Sequence, residues 1–575
     1  MATTGPLGAS PSSLYALCDM GSNGIRFSIT DLSPNTARSL PTVYQDREGI
    51  SLYDAQYITG EKGPIPQEII DNVLAALRRF QIVCSDFGVP ATNVRILATE
   101  ATRTAVNSAD YRKQIKNVTG WEVDMLPKEA EGRIGAFGVA SSFHEVQGLV
   151  MDLGGGSTQI TWMMAKDGKV ETSPKGSFSF PYGAAALTRE LGLVDEQAKP
   201  EQARQELAAK MKQQFQEAYR DLDLPETLKY RAEHGGLTLY LSGGGFRGWG
   251  YLLMAQHKVK PYPIPIINGF QIEKHNFERI VETKQLAAVS KEQPVFRISK
   301  RRAAQVPAVA FLVSILMEAL PMIQEIRFCQ GGVREGFLYD TLDAKTKAIN
   351  PLPAATAKHG PSSASQIATL VQAALPGKNH IDRWTPPSVT PGVIRAVADL
   401  MYIHSALPKD TRALSALMEP TTGVLASAHG VSHTDRALVA LILARRWDSD
   451  LAPPYDSIAQ RLQATLSKQE AWWCNYIGSV VALIGHVYPS GAIEDDKKRI
   501  LLEGSWSDGL GKKGLDQGVL LKVTCNDGDV MTCPSIINDV IEGVEKVGRK
   551  KNRIGGKEFG YGVVVRVDLE RVERL

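Results

Sequence analysis

The sequence predicts an α/β protein with two related lobes, followed by a helical region and a small α+β element. Three observations predict it. An apolar strand with an acid near its end, a glycine turn and a second strand occur twice, in "YALCDMGSNGIRFSITDL" and "LVMDLGGGSTQITWMMAKDG". Two further glycine loops, "LTLYLSGGGFRGWG" and "EIRFCQGGVREGFLYDTL", each stand between a strand pattern and a helix pattern. Beyond about residue 365 the apolar spacing turns helical, and the chain closes in a strand, helix, strand order.

The elements follow in order. Residues 1–13, "MATTGPLGASPSS", read as a flexible leader. Leu14–Asp19 and Arg26–Asp31 read as strands joined by a Gly-Ser-Asn-Gly hairpin turn. "PQEIIDNVLAALRRFQIVCSDFG" has helical spacing and closes on Gly88, "VRILATEATR" gives a strand leading into a polar turn, and 129–145 are helical. In the second hairpin, Asp152-Leu153-Gly154-Gly155 echoes Asp19-Met20-Gly21-Ser22. Lobe I is thus expected over 14–149 and lobe II over 150–345. The Pro, Ala, Ser and Lys composition of 346–364 predicts a linker. Periodicity in "VIRAVADLMYIHSA", "RALVALILARRW" and "WWCNYIGSVVALIGHVY" predicts a helical domain over 365–490. "GVLLKVTC", "SIINDVIEGVEKVG" and "YGVVVRVDLERV" predict an α+β element over 491–575.

Composition narrows the function. A chain of 575 residues has room for about three or four domains. Hydrophobic content of 43% and charged content of 22% are those of a globular protein. Lys+Arg 65 against Asp+Glu 62 leaves a net charge of +3, too small for binding nucleic acid or anionic membrane over the whole surface. Any anion site must be local. The six cysteines show no CxxC pair or dense framework, which fits reduced thiols and a cytoplasmic protein, with the nucleus left open. No stretch is seen to approach the roughly 20 apolar residues of a membrane helix.

A glycine turn lets backbone N–H groups converge on an anion, and a neighbouring Ser or Thr adds a donor. An acid at the strand end, Asp19 or Asp152, would hold a metal ion or its water against phosphate oxygens. One such turn could equally be a plain hairpin; two facing hairpins followed by two glycine loops form a more specific pattern. No Gly-x4-Gly-Lys phosphate loop and no GxGxxG dinucleotide fingerprint is present.

The ordered motifs "CDMGSNGIRFSI", "ATEATRTAVNSADYRKQI", "EAEGRIGAFGV", "VMDLGGGSTQI", "LSGGGFRGW" and "GGVREGFLYD" resemble the Ppx/GppA family of exopolyphosphatases and guanosine pentaphosphate phosphohydrolases. "YQDREGISLYDAQ" and "KDTRALSALMEPTTGVLASAHGVSHTDRALVALIL" resemble more closely the fungal retrograde regulators within it. The resemblance implies two actin-like (ribonuclease H-like) lobes with a nucleotide or phosphate cleft. It places Asp19, Gly21, Ser22 and Asn23 on a first phosphate loop, and Asp152, Gly154, Gly155, Gly156, Ser157 and Thr158 on a second. The loop Ser242, Gly243, Gly244 and Gly245 would approach the nucleotide. Asp19 and Asp152 would serve Mg2+, bound through phosphate or water, with ATP, another nucleotide or polyphosphate as ligand. Arg103 would contact phosphate, and Glu131 would be the general base for an attacking water. A surface arginine and a solvated helical glutamate are the plainer alternatives for these two.

The departures are informative. Gln159 stands where family enzymes place an acid, Gly24 where they often have Ser, and Ala130-Glu131-Gly132 where they commonly read Glu-Glu-Ala. A neutral amide is a poorer ligand for a hard cation. The helical domain resembles the HD phosphohydrolase type without its dyad: His404, His429 and His433 lack an adjacent Asp, and Ser432 with Asp435 suggests a helix cap. The basic run Lys546–Lys557 has the charge to meet polyphosphate, nucleic acid or an acidic partner, with a solvated loop as the plainer reading. The first expectation is a cytoplasmic signalling protein that binds a nucleotide between its lobes and a regulatory protein partner, relieving a cytoplasmic inhibitor of transcription factors in mitochondria-to-nucleus signalling. The alternative is an exopolyphosphatase or guanosine pentaphosphate phosphohydrolase using Glu131. Neither direct nucleic-acid binding nor membrane association is expected, and a homodimer is left open.

Overall fold

The computed structural model describes residues 11–22, 24–58, 60–193, 200–279, 296–377, 385–511, 513–573 and 575. Most of the expected leader therefore lies outside the described residues. The chain forms two compact units. The first comprises Met1–His257, Ile266–Pro351 and Ser427–Val431; the second comprises Lys258–Pro265, Leu352–Ala426 and Ser432–Leu575.

The first unit holds two sheets of related design. β1 (Leu14–Gly21), β2 (Gly24–Asp31) and β3 (Thr42–Glu48) form an antiparallel meander, and β4 (Val94–Ala98) and β5 (Val123–Met125) continue the sheet in parallel with β1. The order is β3-β2-β1-β4-β5. β1 is an almost unbroken buried run, as a strand covered on both faces must be. In the second sheet β6 (Val146–Leu153), β7 (Thr158–Lys166) and β8 (Lys169–Thr172) repeat the meander, with the short β9 (Phe178–Phe180) on β7. β10 (Leu237–Ser242) runs parallel to β6, the edge strand β11 (Gln271–Glu273) is antiparallel, and β12 (Ile323–Phe328) runs parallel to β10. The order β11-β12-β10-β6-β7-β8 extends the same plan. The two lobes share one plan, and the duplicated hairpin is their common first step.

The helix Lys300–Ala319 departs from expectation. Its window Arg302–Ala319 has a mean hydropathy of 1.4 and is long and apolar enough to cross a membrane. In the structure it is a core helix of lobe II, packed on the helices Ala184–Glu190, Glu201–Asp221 and Gly243–Ala255, with Leu312, Val313 and Leu316 fully buried. Its apolarity follows from burial on several sides.

The stretch 346–364 is folded, where a linker was expected. Ala344–Ala348 and Pro351–Thr356 are helical, and Leu352, Ala354 and Ala355 are buried. In the second unit, helices from Ala364–Ala373 to Lys468–Val487 occupy the region predicted helical. The α+β element has one strand more than expected: β13 (Ile500–Leu510) pairs antiparallel with β14 (Asp516–Asn526), and β14 is parallel to β15 (Val564–Val572) across the helix Pro534–Val547. All six cysteines are free thiols. Ser432 and Asp435 form the reciprocal cap of helix His433–Arg446, Asp435 N donating to Ser432 Oγ at 3.0 Å and Ser432 N to Asp435 Oδ2 at 3.1 Å. Within the basic run Lys546–Lys557, Lys546 and Arg549 both pair with Glu542, at 3.3 and 3.0 Å.

Candidate functional site

The two hairpins and both later glycine loops line one cleft between the lobes. Two adjoining cavities, of about 160 and 440 Å³, share Glu100, Glu131, Asp152, Gly156, Ser157 and Gln159 in their walls. Gly21, Ser22, Gly154, Gly155, Gly243, Gly244 and Gly245 line the smaller one. Asn23 lies outside the described residues.

The triple-glycine turn has a definite backbone design. The carbonyls of Gly154, Gly155 and Gly156 accept N–H groups from Gly183 to Ala186, at the start of the helix Ala184–Glu190, at 2.9–3.2 Å. In a trans peptide the C=O and the following N–H point oppositely. The N–H groups of Gly155, Gly156 and Ser157 are thereby turned away from that helix, and among the described residues none has a protein acceptor. Three successive free donors on a cleft wall make an anion cradle. Gly243 is required here, since its φ is +88° and a Cβ would stand 2.4 Å from Leu153 O. Thr158 is fully buried instead of facing the cleft, and its hydroxyl donates to Asp152 O at 2.7 Å, tying the hairpin together. Ser242 Oγ donates to Asp152 Oδ1 and is committed to that carboxylate.

Four arginines stand at the smaller cavity, and sequence reasoning missed all of them. Arg26, Arg47, Arg247 and Arg302 line it together with Asp19, Glu100, Glu131 and Asp152. Three of these groups form a cross-strand row: Asp19 is opposite Arg26, and Arg26 opposite Arg47. Like charges directly opposite on a sheet repel, while Asp19 offers Arg26 a contact of only 3.7 Å. Burial pushes Arg247 down to about 10, and the charges of Arg26 and Arg302 push the same way. Such mutual repulsion is relieved by a bound anion. The missed signal was present for Arg26, whose facing with Asp19 follows from the two-residue turn. Arg302 lies in a distant helix, and no local motif announces it.

Gly24 has a structural reason. Its φ is +152°, and a Cβ would stand 3.0 Å from Glu48 O and 3.1 Å from Arg47 Nε. The arginine row leaves little room for the serine that family enzymes often carry there.

Arg103 and Glu131 meet. Nη1 and Nη2 of Arg103 both donate to Glu131 Oε2 at 3.2 Å, and Nη1 also donates to Leu126 O. Arg103 lines the larger cavity but is largely spent on these partners. Burial pushes Glu131 up to about 7 against the pull of Arg103, with Glu100 and Asp152 adding to the rise. It is poised as a base near neutral pH. Gln159 acts as a donor: its Nε2 gives a hydrogen bond to Ser157 Oγ at 2.8 Å, and Ser157 Oγ donates to Glu100 Oε2 at 3.3 Å. The single proton of the Ser157 hydroxyl therefore goes to Glu100 and not into the cradle.

Asp19 and Asp152 end equivalent strands of the two lobes, and burial raises both above the ordinary carboxylate range. Among the described residues no three His, Cys, Asp or Glu side chains converge as metal ligands. Mg2+ is commonly held by one or two carboxylates plus phosphate oxygens and water. The residues fit an ion carried in with phosphate, and not an all-protein cage.

The Ppx/GppA phosphatase family model matches residues 32–345, and the RTG2 C-terminal domain model matches residues 350–572. The chain is similar to retrograde regulation protein 2 of Saccharomyces cerevisiae, at 37% identity over 499 residues, 84% of this chain and 82% of that protein. It is similar to the guanosine-5'-triphosphate,3'-diphosphate pyrophosphatase of Photobacterium profundum at 32% identity over 165 residues, 28% of this chain and 32% of that one. Among solved structures, the Aquifex aeolicus member of the Ppx/GppA family has a TM-score of 0.44 at 20% identity, covering 57% of this chain and 96% of its own.

Proposed function

This chain belongs to the Ppx/GppA phosphatase family, and from that premise we propose that it binds a nucleotide or polyphosphate, with Mg2+, as a signalling protein of retrograde regulation. One observation carries the proposal. The unpartnered N–H groups of Gly155, Gly156 and Ser157 share a cleft with the guanidinium groups of Arg26, Arg47, Arg247 and Arg302. Phosphate oxygens satisfy both at once. In this reading Asp19 and Asp152 would hold a Mg2+ ion, which would supply charge neutralisation for the phosphates. The name of the yeast relative supports a regulatory role, which we place in the cytoplasm and in communication from mitochondria to nucleus. The output is a protein partner, and relief of an inhibitor of transcription factors is the form we propose for it.

A second reading, phosphoanhydride hydrolysis, has one observation in its favour. Glu131, pushed up to about 7 by burial, stands at the cleft wall beside Asp152, where it could take a proton from a water. Against it, Gln159 holds the Ser157 hydroxyl onto Glu100 and supplies no anionic ligand.

Calorimetric titration of the full chain with Mg-ATP, guanosine pentaphosphate and polyphosphate tests the binding. At least one should bind, and Arg26→Gln should weaken it by tenfold or more. Binding of none, or equal binding by the variant, overturns the site. A phosphate-release assay on the same compounds separates the two readings. The signalling reading expects no release above background; Mg2+-dependent release abolished in Glu131→Ala would replace it with the hydrolase.

A further inference from the structure

We propose that the second unit carries its own anion site, separate in residues from the cleft of the lobes, that takes a compact polyphosphate group. A cavity of about 590 Å³ lies among four helices of this unit. That is the size of a small-molecule pocket. Lys409 and Arg412 reach it from the first turn of helix Lys409–Thr422, and Arg445 and Arg446 from the last turn of helix His433–Arg446. Trp447 and His486 also line it.

The arginines are fixed in place. Arg412 donates through Nε to Leu407 O and through Nη2 to Ser405 O, both at 2.9 Å, and Arg445 Nε donates to Ser479 Oγ at 3.0 Å. The guanidinium of Arg446 lies 4.1 Å from the centre of the Trp447 ring, and that of Arg412 lies 5.0 Å from it. Helix Lys468–Val487 makes room for this group with Gly485, where a Cβ would stand 2.2 Å from Arg446 Nη2. Guanidinium forks held in this way are suited to paired phosphate oxygens.

Two independent features call for an anion. Among the described residues none of these four cations makes an ion pair within 4 Å. The acids on the rim, Asp448 and Asp539, are exposed, so four cations face two solvated carboxylates. In addition, Arg446 Nε, Trp447 Nε1 and His486 Nε2 are buried with no hydrogen-bond partner. Buried polar atoms are costly to leave unpaired, and Arg446 Nε and Trp447 Nε1 can only donate, so two donors beside one cavity lack an acceptor. A phosphate chain answers all of this, whether it is free polyphosphate or part of a nucleotide.

The probes are inorganic tripolyphosphate and ATP, each titrated calorimetrically without Mg2+ into the full chain. Tripolyphosphate should bind, and Lys409→Gln with Arg412→Gln should weaken one class of sites at least tenfold. Arg26→Gln should leave that class intact, which separates this site from the cleft and keeps the proposal independent of the function proposed above. Binding should also change tryptophan fluorescence, and Trp447→Phe, which keeps a ring under the arginines, should abolish the change. ATP binding with the same variant pattern assigns the source to nucleotides; tripolyphosphate alone assigns it to free polyphosphate. Lys409 is exposed, so Lys409→Gln alone stays folded and gives the same test in weaker form. Stoichiometry and affinities unchanged in the double and single variants would overturn the proposal. So would binding of a polyglutamate peptide here with no binding of either phosphate.

Discussion

Gln159 shows how one residue redirects a site. As an amide it donates to Ser157, and Ser157 then donates to Glu100. A carboxylate at 159 could only accept, so it would reverse the first bond and free the hydroxyl proton of Ser157 from Glu100. It would also bring another negative charge beside Asp152, its partner across β6 and β7. Gln159→Glu should therefore bind Mg2+ more tightly, by about tenfold, and melt at a lower temperature when Mg2+ is absent. Equal Mg2+ affinity in wild type and variant, by calorimetry, would show that the relay does not govern the metal. Glu131 gives a second prediction. Its folded pKa of about 7 lies above the ordinary 4.5, so the folded state holds its proton over that interval and the unfolded state does not. This contribution is fully present below pH 4.5 and is lost as pH rises through 7, at most about 3 kcal/mol. Chemical denaturation of wild type and Glu131→Gln between pH 5 and pH 8, roughly the span of the shift, should show wild type losing stability relative to the variant. Parallel stabilities would mean that Glu131 is not held high.

At the scale of elements, the legible features are those with a local cause. The hairpin turns, the strand-to-helix glycine loops and the Ser432–Asp435 cap are each written within a few consecutive residues. In stretch 346–364, Pro, Ala, Ser and Lys suit both a linker and short helices, and only burial of Leu352, Ala354 and Ala355 decides between them. The extra strand β13 escaped because "ILLEGSWSDGL" carries two glycines and two serines, which read as loop until β14 pairs with it. The arginines divide on the same line: hairpin register brings Arg26 to Asp19, while Arg247 and Arg302 reach the cleft only through long-range packing. Gly243 tests an element junction. With φ at +88° and Leu153 O so close, Gly243→Ala should cost about 2 kcal/mol or more, read from the urea midpoint. An unchanged midpoint would mean that β10 and its helix can shift to admit a methyl group.

At the scale of the molecule, the near-neutral total of +3 conceals two separate arginine-rich sites, each within one unit. The division of the chain is less simple than the family matches, which end at residue 345 and resume at 350. Ser427–Val431 belongs to the first unit, where His429 N donates to Ser39 O at 3.0 Å. Burial would raise Glu335, but Arg334, His429 and the backbone N–H of Gly332 outweigh it and hold the carboxyl down to about 2. A depressed carboxyl contributes stability above pH 4.5 that is lost as pH falls toward 2. A chain cut after Pro351 keeps both lobes and every cleft residue, yet it removes His429 and uncovers Ser39 O. It should therefore melt several degrees, roughly 5 °C, below the lobe transition of the full chain at neutral pH, the difference shrinking toward pH 2 as Glu335 takes up its proton. Differential scanning calorimetry of both chains across that range measures it. Equal melting temperatures at neutral pH would show that Ser427–Val431 adds nothing to the unit and that residue 351 is a true domain boundary.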